Sequence, residues 1–167
     1  PVLDTIHPQS SVLSRRTFGQ KKDTIIRHGL AAFKGLEHAG LLAVGKHFPG
    51  HGLSPIDTHY HAAHAIATDS DIVNHIAPFQ TLMAAGLPMI MASHITVPAM
   101  DPHFPVSLSK DILTRYLRKS LHFQGLILTD DIQMKAVQNK DIALHQLIKQ
   151  SIMAGNNLIL TSHPYAK

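Results

Sequence analysis

Cysteine and tryptophan are absent from this 167-residue chain, and aromatic residues make up only 5% of it. Because there is no cysteine, disulfide bonds and thiol chemistry are excluded, and a reducing compartment is permitted. The chain also lacks an uninterrupted apolar run near the roughly 18–20 residues that span a bilayer, and it shows no cleavable signal-peptide pattern. We therefore expect no association with a membrane.

Charged residues are sparse, at 16% of the chain. Lysine and arginine number 15 and aspartate and glutamate 11, which gives a net charge of +4 with neutral histidine. This small basic excess is scattered along the chain. A nucleic-acid-binding protein usually has a basic stripe or stacking aromatic residues. We therefore expect no nucleic-acid partner.

The remaining composition, with 44% apolar residues, is that of a globular protein. No Gly-Ser-rich or proline-rich linker divides the chain, and its length suits one domain, so we treat residues 1–167 as a single domain. Apolar residues at helical spacing alternate with short apolar runs. Helices are predicted over 23–39, around 72–83, from a cap at Ser109 through a last turn that contains Arg118 and Lys119, and over 144–152. Strands are predicted over 41–44, 89–92, 125–129 and 157–160, with 1–3 as the end of another.

Some helices carry more specific signals. In the first, Ile26, Leu30, Phe33 and Leu36 are predicted to form the buried face. In the second, Pro78 either opens the helix or kinks it. Gly155 is predicted to end the last helix, and Ser109 to cap the third.

Strands that alternate with helices indicate βαβ units and a parallel sheet, so the predicted fold class is α/β. In such sheets, and in βα barrels, the active site lies at the carboxyl ends of the strands. Three predicted strands run into titratable residues there, at 45–52, at Ser93-His94 and at Asp130-Asp131. We therefore expect the functional site at this edge.

Two of these strand ends carry candidate catalytic groups. A carboxylate at a strand end acts as a nucleophile, a base or a metal ligand, or it caps the turn that follows. Its position favours a functional role for Asp130 and a structural one for Asp131. Lys46 and His47 offer several donors to hydroxyl groups or to an anion, but a purely structural role in the core suits them equally well.

The loop after these residues contains the triplet Asp57-Thr58-His59. A carboxylate two residues from a histidine can accept the imidazole N–H, which fixes the tautomer and raises the basicity of the ring. That arrangement suits general acid–base catalysis. On a glycine- and proline-rich loop after a buried strand, the signal is moderately specific.

Histidine is unusually abundant, with 14 in the chain and five between His47 and His64. A metal site and a proton-transfer site are the two obvious explanations. The spacing of His59, His61 and His64 is compatible with zinc, but no HExxH-type helix supports it. A zinc-dependent hydrolase built on the histidines of 47–64 therefore stays open as an alternative.

Taken together, these motifs resemble glycoside hydrolase family 3, and within it the β-N-acetylglucosaminidases (β-hexosaminidases). The block KHFPGHG at 46–52 is long and specific. It is followed by D-x-H at 57–59 and by TDDIQM at 129–134. Segments at 1–4 and 10–19 also match, so the resemblance covers essentially the whole chain.

The resemblance implies a retaining glycosidase that forms a covalent glycosyl-enzyme intermediate. Asp130 matches the family's nucleophile, His59 its general acid/base, and Asp57 the partner of that histidine. This differs from the usual pair of carboxylates. It is chemically reasonable, because an imidazole ordinarily titrates near neutral pH and needs little adjustment.

The resemblance also implies the substrate. The family's residues that hydrogen-bond the sugar match Lys46, His47 and Arg16. The expected substrate is a terminal β-linked N-acetylglucosamine on muropeptides in cell-wall recycling, and no metal or other cofactor is expected. The D-x-H pair favours the hexosaminidase branch, because the β-glucosidase branch generally takes its acid from a glutamate in another domain.

The implied fold is a (β/α)₈ TIM barrel, which needs about 250 residues. This chain supplies only about five strands, corresponding to the third through seventh of the family. We therefore expect an incomplete barrel with two open sheet edges, which makes self-association possible and leaves catalysis by this chain alone, or an inactive fragment, as open outcomes. A cytoplasmic location is inferred from the family and the absence of cysteine.

Overall fold

A computed structural model describes residues 2–6, 13, 15–138 and 142–162. The α-helices are α1 (Lys22–His38), α2 (Asp69–Ala84) and α3 (Leu144–Ala154), and a π-helix spans Asp111–Ser120. Short 3₁₀ turns occupy His51–Leu53 and Val106–Leu108. The strands are β1 (Val44–Phe48), β2 (Ala63–His64), β3 (Met89–Ala92), β4 (Ile95–Thr96) and β5 (Leu126–Thr129).

The central sheet is parallel, in the order β1-β3-β5. Two further segments extend it: the Leu3 amide donates to the Lys46 carbonyl beside β1, and Leu158 forms a bridge to Leu128 beside β5. A second small parallel pair joins β2 and β4. Strands linked through helices into a parallel sheet confirm the predicted α/β class.

Strand 89–92 is confirmed as β3, and 125–129 is confirmed within one residue as β5. The prediction of a strand over 41–44 was wrong: Leu41 and Leu42 are 57% and 70% exposed, and the strand runs from Val44 to Phe48. The predicted strand ended too early because Lys46 and His47 are polar, and polar residues predict a loop. In the structure the strand continues through both residues.

Two other predicted strands are reduced. The run 157–160 forms only the bridge at Leu158, whose side chain is exposed. Of the segment 1–3, Val2 forms a bridge with Thr17, while Pro1 lies outside the described residues.

Helix α1 matches its predicted range to within one residue, and its predicted apolar face is only partly buried: Phe33 is buried and Leu30 packs against the core. Ile25, Gly29 and Phe33 are buried, whereas Leu36 is 40% exposed. The helix packs on α2 through the Gly29 side, where the absent side chain lets Leu3 come close. The buried side of the helix therefore includes Gly29 as well as Phe33 of the predicted apolar face.

The other helix signals correspond to observed contacts. A capping box joins Thr68 and Asp71 at the start of α2, and Pro78 lies inside that helix rather than opening it. The Ser109 hydroxyl accepts a hydrogen bond from the Ile112 amide, as a cap does, at 3.1 Å. Gly155 follows α3 in the left-handed conformation, with φ of 119°.

The main core lies between the central sheet and the helices that cover it. It contains fully buried residues from α1, α2, β3, the π-helix and β5, among them Ile25, Phe79, Ile90, Leu113 and Ile127. A smaller cluster around Leu108, Ile132, Val137 and Leu147 supports the chain after β5. Among the described residues, no helix is both long and apolar enough to cross a bilayer.

Candidate active site

The carboxyl ends of the sheet strands bring polar side chains together at one edge. His47 lies in the last part of β1, His94 follows β3 and Asp130 follows β5. Asp4 follows the segment that pairs with β1. Because neighbouring parallel strands end at the same edge, four positions far apart in the sequence converge there.

Asp4 is completely buried at this edge. Its Oδ1 accepts a hydrogen bond from the His51 amide at 2.6 Å, and its Oδ2 accepts one from the His47 ring Nδ1 at 2.8 Å. The His47 amide also donates to the carboxylate, at 3.1 Å to Oδ2. Burial alone would raise the pKa of Asp4, but the charge and hydrogen bond of His47, together with His51, hold that pKa below its usual value.

The other ring nitrogen of His47 faces Asp130. Its Nε2 lies 3.9 Å from Asp130 Oδ2, and the Asp130 side chain is 15% exposed. The Asp130 amide donates to the Ala92 carbonyl, which fixes the backbone to the end of β3. Asp130 Oδ1 accepts the Asp131 amide at 2.9 Å. This carboxylate is therefore fixed in position and still reachable from solvent.

His94 supports the turn that holds Asp130. Its Nε2 lies 2.9 Å from the Asp131 carbonyl oxygen, and its Nδ1 lies 2.7 Å from the Ser107 hydroxyl. Burial lowers the pKa of His94, and the attraction of Asp130 offsets this only in part. A neutral ring suits both contacts, because Nε2–H donates to the carbonyl while Nδ1 accepts from the hydroxyl.

Asp57 and His59 form a hydrogen-bonded pair on an adjacent loop. Asp57 Oδ1 accepts from the His59 ring Nδ1 at 2.7 Å and from the His59 amide at 2.9 Å. Burial alone would raise the pKa of Asp57, but these hydrogen bonds hold it below its usual value. The His59 side chain is 53% exposed. With Nδ1–H committed to the carboxylate, Nε2 is free to exchange a proton.

The loop carrying this pair is attached to the strand edge at two points. His51 Nε2 hydrogen-bonds the Thr58 hydroxyl at 2.9 Å, and the Ala136 amide, in the chain after β5, donates to the Thr58 carbonyl. Burial lowers the pKa of His51, so its ring is neutral near pH 7. Thr58 thus ties the Asp57–His59 pair to both the β1 loop and the β5 loop.

Lys46 and Arg16, the other two predicted sugar-binding residues, both make backbone contacts with the segment that precedes Asp4. Lys46 is half-buried in β1, and its carbonyl accepts the Leu3 amide. Arg16 is half-buried in a turn, where its carbonyl accepts the Val2 amide. The next residue, Thr17, donates its hydroxyl to the Asp4 carbonyl at 2.5 Å. Both residues are therefore attached to the segment that carries Asp4.

The structure does not bring the histidines of 47–64 together as a metal site. Within the described ranges, no group of three histidine or carboxylate side chains is placed to hold a metal ion. His47 bonds Asp4, His51 bonds Thr58 and His59 bonds Asp57, whereas His61 and His64 are exposed. Three of the five histidines therefore bond three different residues, and the other two are exposed.

Sequence reasoning does not single out Asp4, and it places His94 at the functional edge without giving it a role. Asp4 follows a short apolar run, as Asp130 does, so the strand-end rule applied to one more strand would identify it. His94 lies at a predicted strand end, but its contact with the Asp131 carbonyl depends on the pairing of β3 with β5.

Glycine at position 52 is required by the close approach of the loop to the chain before it. A Cβ at Gly52 would collide with the backbone carbonyl of Thr5. We expect Gly52→Ala to lower the free energy of unfolding by about 2 kcal/mol or more. In Gly35→Ala, the matched control in α1, the Cβ meets nothing within 4 Å, and alanine should stabilise the helix by up to about 1 kcal/mol. Urea unfolding of both variants measures this difference, and equal midpoints would contradict it.

Comparison with known proteins identifies the family of this chain. The family described as Glycosyl hydrolase family 3 N terminal domain matches residues 1–167. The chain belongs to this family. The resemblance predicted from the motifs at 46–52, 57–59 and 129–134 is therefore confirmed.

Individual family 3 proteins are similar over nearly the whole chain. A β-hexosaminidase from Nitrosomonas eutropha is 38% identical over 161 residues, which is 96% of this chain and 46% of that protein. A β-hexosaminidase from Thioalkalivibrio sulfidiphilus is 36% identical over 138 residues, covering 83% of this chain and 40% of that protein. The chain thus spans less than half the length of these curated relatives.

Two solved structures show the same arrangement of elements. The glycoside hydrolase family 3 β-N-acetylglucosaminidase from Paenibacillus sp. has a TM-score of 0.93 and 32% identity, covering 99% of this chain and 32% of that one. Zinc-bound CbsA from Thermotoga neapolitana has a TM-score of 0.89 and 33% identity, covering 96% of this chain and 35% of that one.

Proposed function

We propose that this chain forms the catalytic centre of a retaining glycosidase that removes terminal β-linked N-acetylglucosamine. The observation that carries the proposal is the carboxylate of Asp130, partly exposed at the carboxyl end of β5 and facing Nε2 of His47. A strand-end carboxylate with a fixed backbone and an open approach suits nucleophilic attack. Membership of family 3 and the β-hexosaminidase relatives support the choice of sugar.

In the first step, an oxygen of Asp130 attacks the anomeric carbon, and the bond from that carbon to the leaving oxygen breaks. The leaving oxygen takes a proton from Nε2 of His59, and a glycosyl ester of Asp130 remains. Asp57 supports this step, because its carboxylate holds Nδ1–H and stabilises the protonated ring. His59 then accepts a proton from water, which hydrolyses the ester and restores Asp130 with net retention.

Lys46, His47 and Arg16 are proposed to bind the sugar. An ammonium, an imidazole and a guanidinium together provide donors for several ring hydroxyl groups without adding a second nucleophile. The backbone contacts of Lys46 and Arg16 with the segment that carries Asp4, together with the 3.9 Å between His47 Nε2 and Asp130 Oδ2, support this proposal.

We further propose that the parallel sheet is part of a (β/α)₈ barrel, corresponding to its third to seventh strands. Such a barrel needs about 250 residues, and the chain matches less than half of its curated relatives. Leu41 and Leu42 before β1, Leu126 in β5 and Leu158 in the outer segment are exposed, which supports burial of this apolar surface by further parts of a barrel or by a second copy. A role in muropeptide recycling in the cytoplasm is the corresponding proposal for the whole protein.

A panel of aryl glycosides tests the activity. We expect the whole protein that carries this chain to hydrolyse 4-nitrophenyl N-acetyl-β-glucosaminide, and to hydrolyse the β-glucoside and the α-anomer far more slowly. Proton NMR during turnover should show β-N-acetylglucosamine as the first product. Release of the α-anomer first, or preference for the β-glucoside, would contradict the proposal.

The zinc-dependent alternative is tested on the same protein. We expect chelation with EDTA to leave the rate unchanged, because the proposed steps use only side chains of the chain itself. A zinc-bound relative makes this control informative. Stoichiometric zinc on elemental analysis, together with loss of activity on chelation and recovery on adding zinc, would favour the zinc-dependent reaction.

A further inference from the structure

We propose that Asp4 is the positioning residue of this site and acts through His47. Its carboxylate selects the tautomer and orientation of the imidazole, so that Nε2 is presented to the sugar beside Asp130. This inference rests on the proposed function, since it assigns the His47 ring to substrate binding. Asp4 itself is fully buried, so it acts on the substrate only through other residues.

The contacts of Asp4 are those of a built anion site. The side chain is fully buried, and its two oxygens accept hydrogen bonds from the His47 amide, the His47 ring and the His51 amide. A buried carboxylate is favourable only when it is paired and hydrogen-bonded in this way. The three N–H groups therefore define where the carboxylate sits.

These contacts determine which nitrogen of His47 carries a proton. Asp4 is ionised near pH 7 because its pKa is lowered by His47 and His51 against the effect of burial. An ionised carboxylate only accepts hydrogen bonds, so Nδ1 of His47, 2.8 Å away, must carry the proton. The opposite nitrogen, Nε2, is thereby left to face Asp130.

The distance on the far side of the ring leaves space for a substrate group. Nε2 lies 3.9 Å from Asp130 Oδ2, which is longer than a hydrogen bond. The ring is therefore held from behind by Asp4 and is not committed to the nucleophile in front. A sugar hydroxyl beside the anomeric carbon can meet Nε2 while Asp130 keeps its oxygen for attack.

Asp4 also links this ring to the second catalytic group. Through the His51 amide it fixes the residue whose ring bonds Thr58, and Thr58 lies between Asp57 and His59. The titratable groups that interact with His47 are Asp4, Asp130, His51 and His94. Among these four, Asp4 alone accepts a hydrogen bond from the His47 ring at 2.8 Å.

The first test compares Asp4→Asn with Asp101→Asn on the whole protein. Asp101 is a matched control, because it too is buried and accepts three hydrogen bonds, from the His103 amide, the Phe104 amide and the Ser109 hydroxyl. We expect Asp4→Asn to lower kcat/KM on 4-nitrophenyl N-acetyl-β-glucosaminide by roughly 10–100-fold. Asp101→Asn should change it by less than about threefold, because its contacts lie in a separate loop. Thermal unfolding followed by circular dichroism reports the stability of each variant.

The second test separates positioning from general structural support. In a double-mutant cycle with His47→Gln, Asp4→Asn should cause a much smaller further loss, because the ring contact is gone and only the contacts of Asp4 with backbone amides remain. A purely structural Asp4 would lower kcat/KM by the same factor in both backgrounds. Additive losses in this cycle would overturn the proposal.

The third test needs no activity. In protein labelled with ¹⁵N-histidine, the His47 ring is assigned by the disappearance of its signals in His47→Gln. Long-range ¹H–¹⁵N spectra should show a proton on Nδ1 of His47 in the wild type. In Asp4→Asn they should show the proton on Nε2 instead, or exchange between the two tautomers. An unprotonated Nδ1 in the wild type overturns the proposal, even if Asp4→Asn does not fold. Failure of the wild type to hydrolyse any glycoside would instead overturn the proposed function, and the spectrum would still decide the Asp4–His47 contact.

Discussion

Replacing Asp130 by asparagine should reduce turnover of 4-nitrophenyl N-acetyl-β-glucosaminide on the order of 10⁴-fold or more. An amide has the shape of the carboxylate, but it cannot form the glycosyl ester through which the proposed reaction passes. The oxygen of the introduced amide can still accept a hydrogen bond from the Asp131 N–H, as Asp130 Oδ1 does. We therefore expect kcat to collapse while the unfolding temperature changes little.

The neighbouring carboxylate provides the matched control. Asp131 Oδ1 accepts the Gln133 and Ser162 amides, so its contacts are those of a turn. Asp131→Asn should retain most of the activity, and any loss should follow a fall in stability. Equal losses in Asp130→Asn and Asp131→Asn, without unfolding, would contradict the assignment of the nucleophile.

A trapped intermediate gives a direct readout of the same prediction. A 5-fluoro analogue of the N-acetylglucosaminyl donor keeps the 2-acetamido group. With a good leaving group it forms the ester with the nucleophile but hydrolyses slowly, because the fluorine destabilises the oxocarbenium-like transition state. Peptide mass spectrometry should find the added sugar on Asp130 in the wild type. In Asp130→Ala, added azide should restore turnover by taking the place of the carboxylate. Finding the sugar on another residue would show that this other residue, and not Asp130, is the nucleophile.

The parts of the fold that are predictable from sequence are those fixed by local signals. Strand 89–92 is a short apolar run followed by polar residues, and Gly155 ends α3 in a conformation that glycine adopts readily. Ser109 caps the π-helix through a contact only three residues along the chain. Such signals depend on neighbours in sequence, so they survive whatever the tertiary packing is.

The errors arise where long-range contacts outweigh local pattern. β1 continues through Lys46 and His47 because it pairs with β3 and with the segment at Leu3, although polar residues predict a loop. Its register against β3 gains one residue between Gly45 and Phe48, which periodicity alone does not reveal. A strand that carries site residues therefore loses the apolar signal used to detect it.

The site divides in the same way. Asp57 and His59 are two residues apart, so spacing alone indicates that they can form a hydrogen bond, although their catalytic role remains a proposal. Asp4 and His47 are 43 residues apart, and only the pairing of their strand segments brings them together. Sequence spacing therefore identifies local pairs, whereas the residue that positions a ring from behind requires the fold.

Replacing His59 by glutamine should lower kcat/KM most for substrates with a poor leaving group and least for substrates with a good one. A general acid contributes roughly 10²–10⁴-fold when the leaving oxygen needs a proton. We expect losses of that size for N-acetylglucosamine disaccharides, and a much smaller loss for a 2,4-dinitrophenyl glycoside, whose leaving group departs as the anion. A plot of log kcat/KM against leaving-group acidity should therefore be steeper for the variant than for the wild type.

His61→Gln is the control for this prediction, because His61 is exposed two residues along the same loop. It should leave the slope of that plot unchanged. Asp57→Asn should give the same pattern as His59→Gln with a smaller amplitude, since the amide no longer stabilises the protonated ring. Losses in His59→Gln that are equal for all leaving groups would show that His59 binds substrate rather than donating a proton.

The pH dependence of kcat/KM tests whether the ionised carboxylate of Asp57 supports proton transfer by His59. The pKa of Asp57 is lowered by its hydrogen bonds with His59, so the carboxylate is ionised throughout the neutral range and is protonated only as the pH falls through that lowered pKa. The ionised Asp57 carboxylate that holds Nδ1–H of His59 is therefore fully present above the ordinary pKa of a carboxyl group. It is lost as the pH falls through the lowered pKa of Asp57. Protonation of Asp57 should then make the wild type resemble Asp57→Asn, so the ratio of their kcat/KM values for a poor leaving group should narrow only at acidic pH. A ratio that stays constant through that range would mean that Asp57 supports the loop and not the proton transfer.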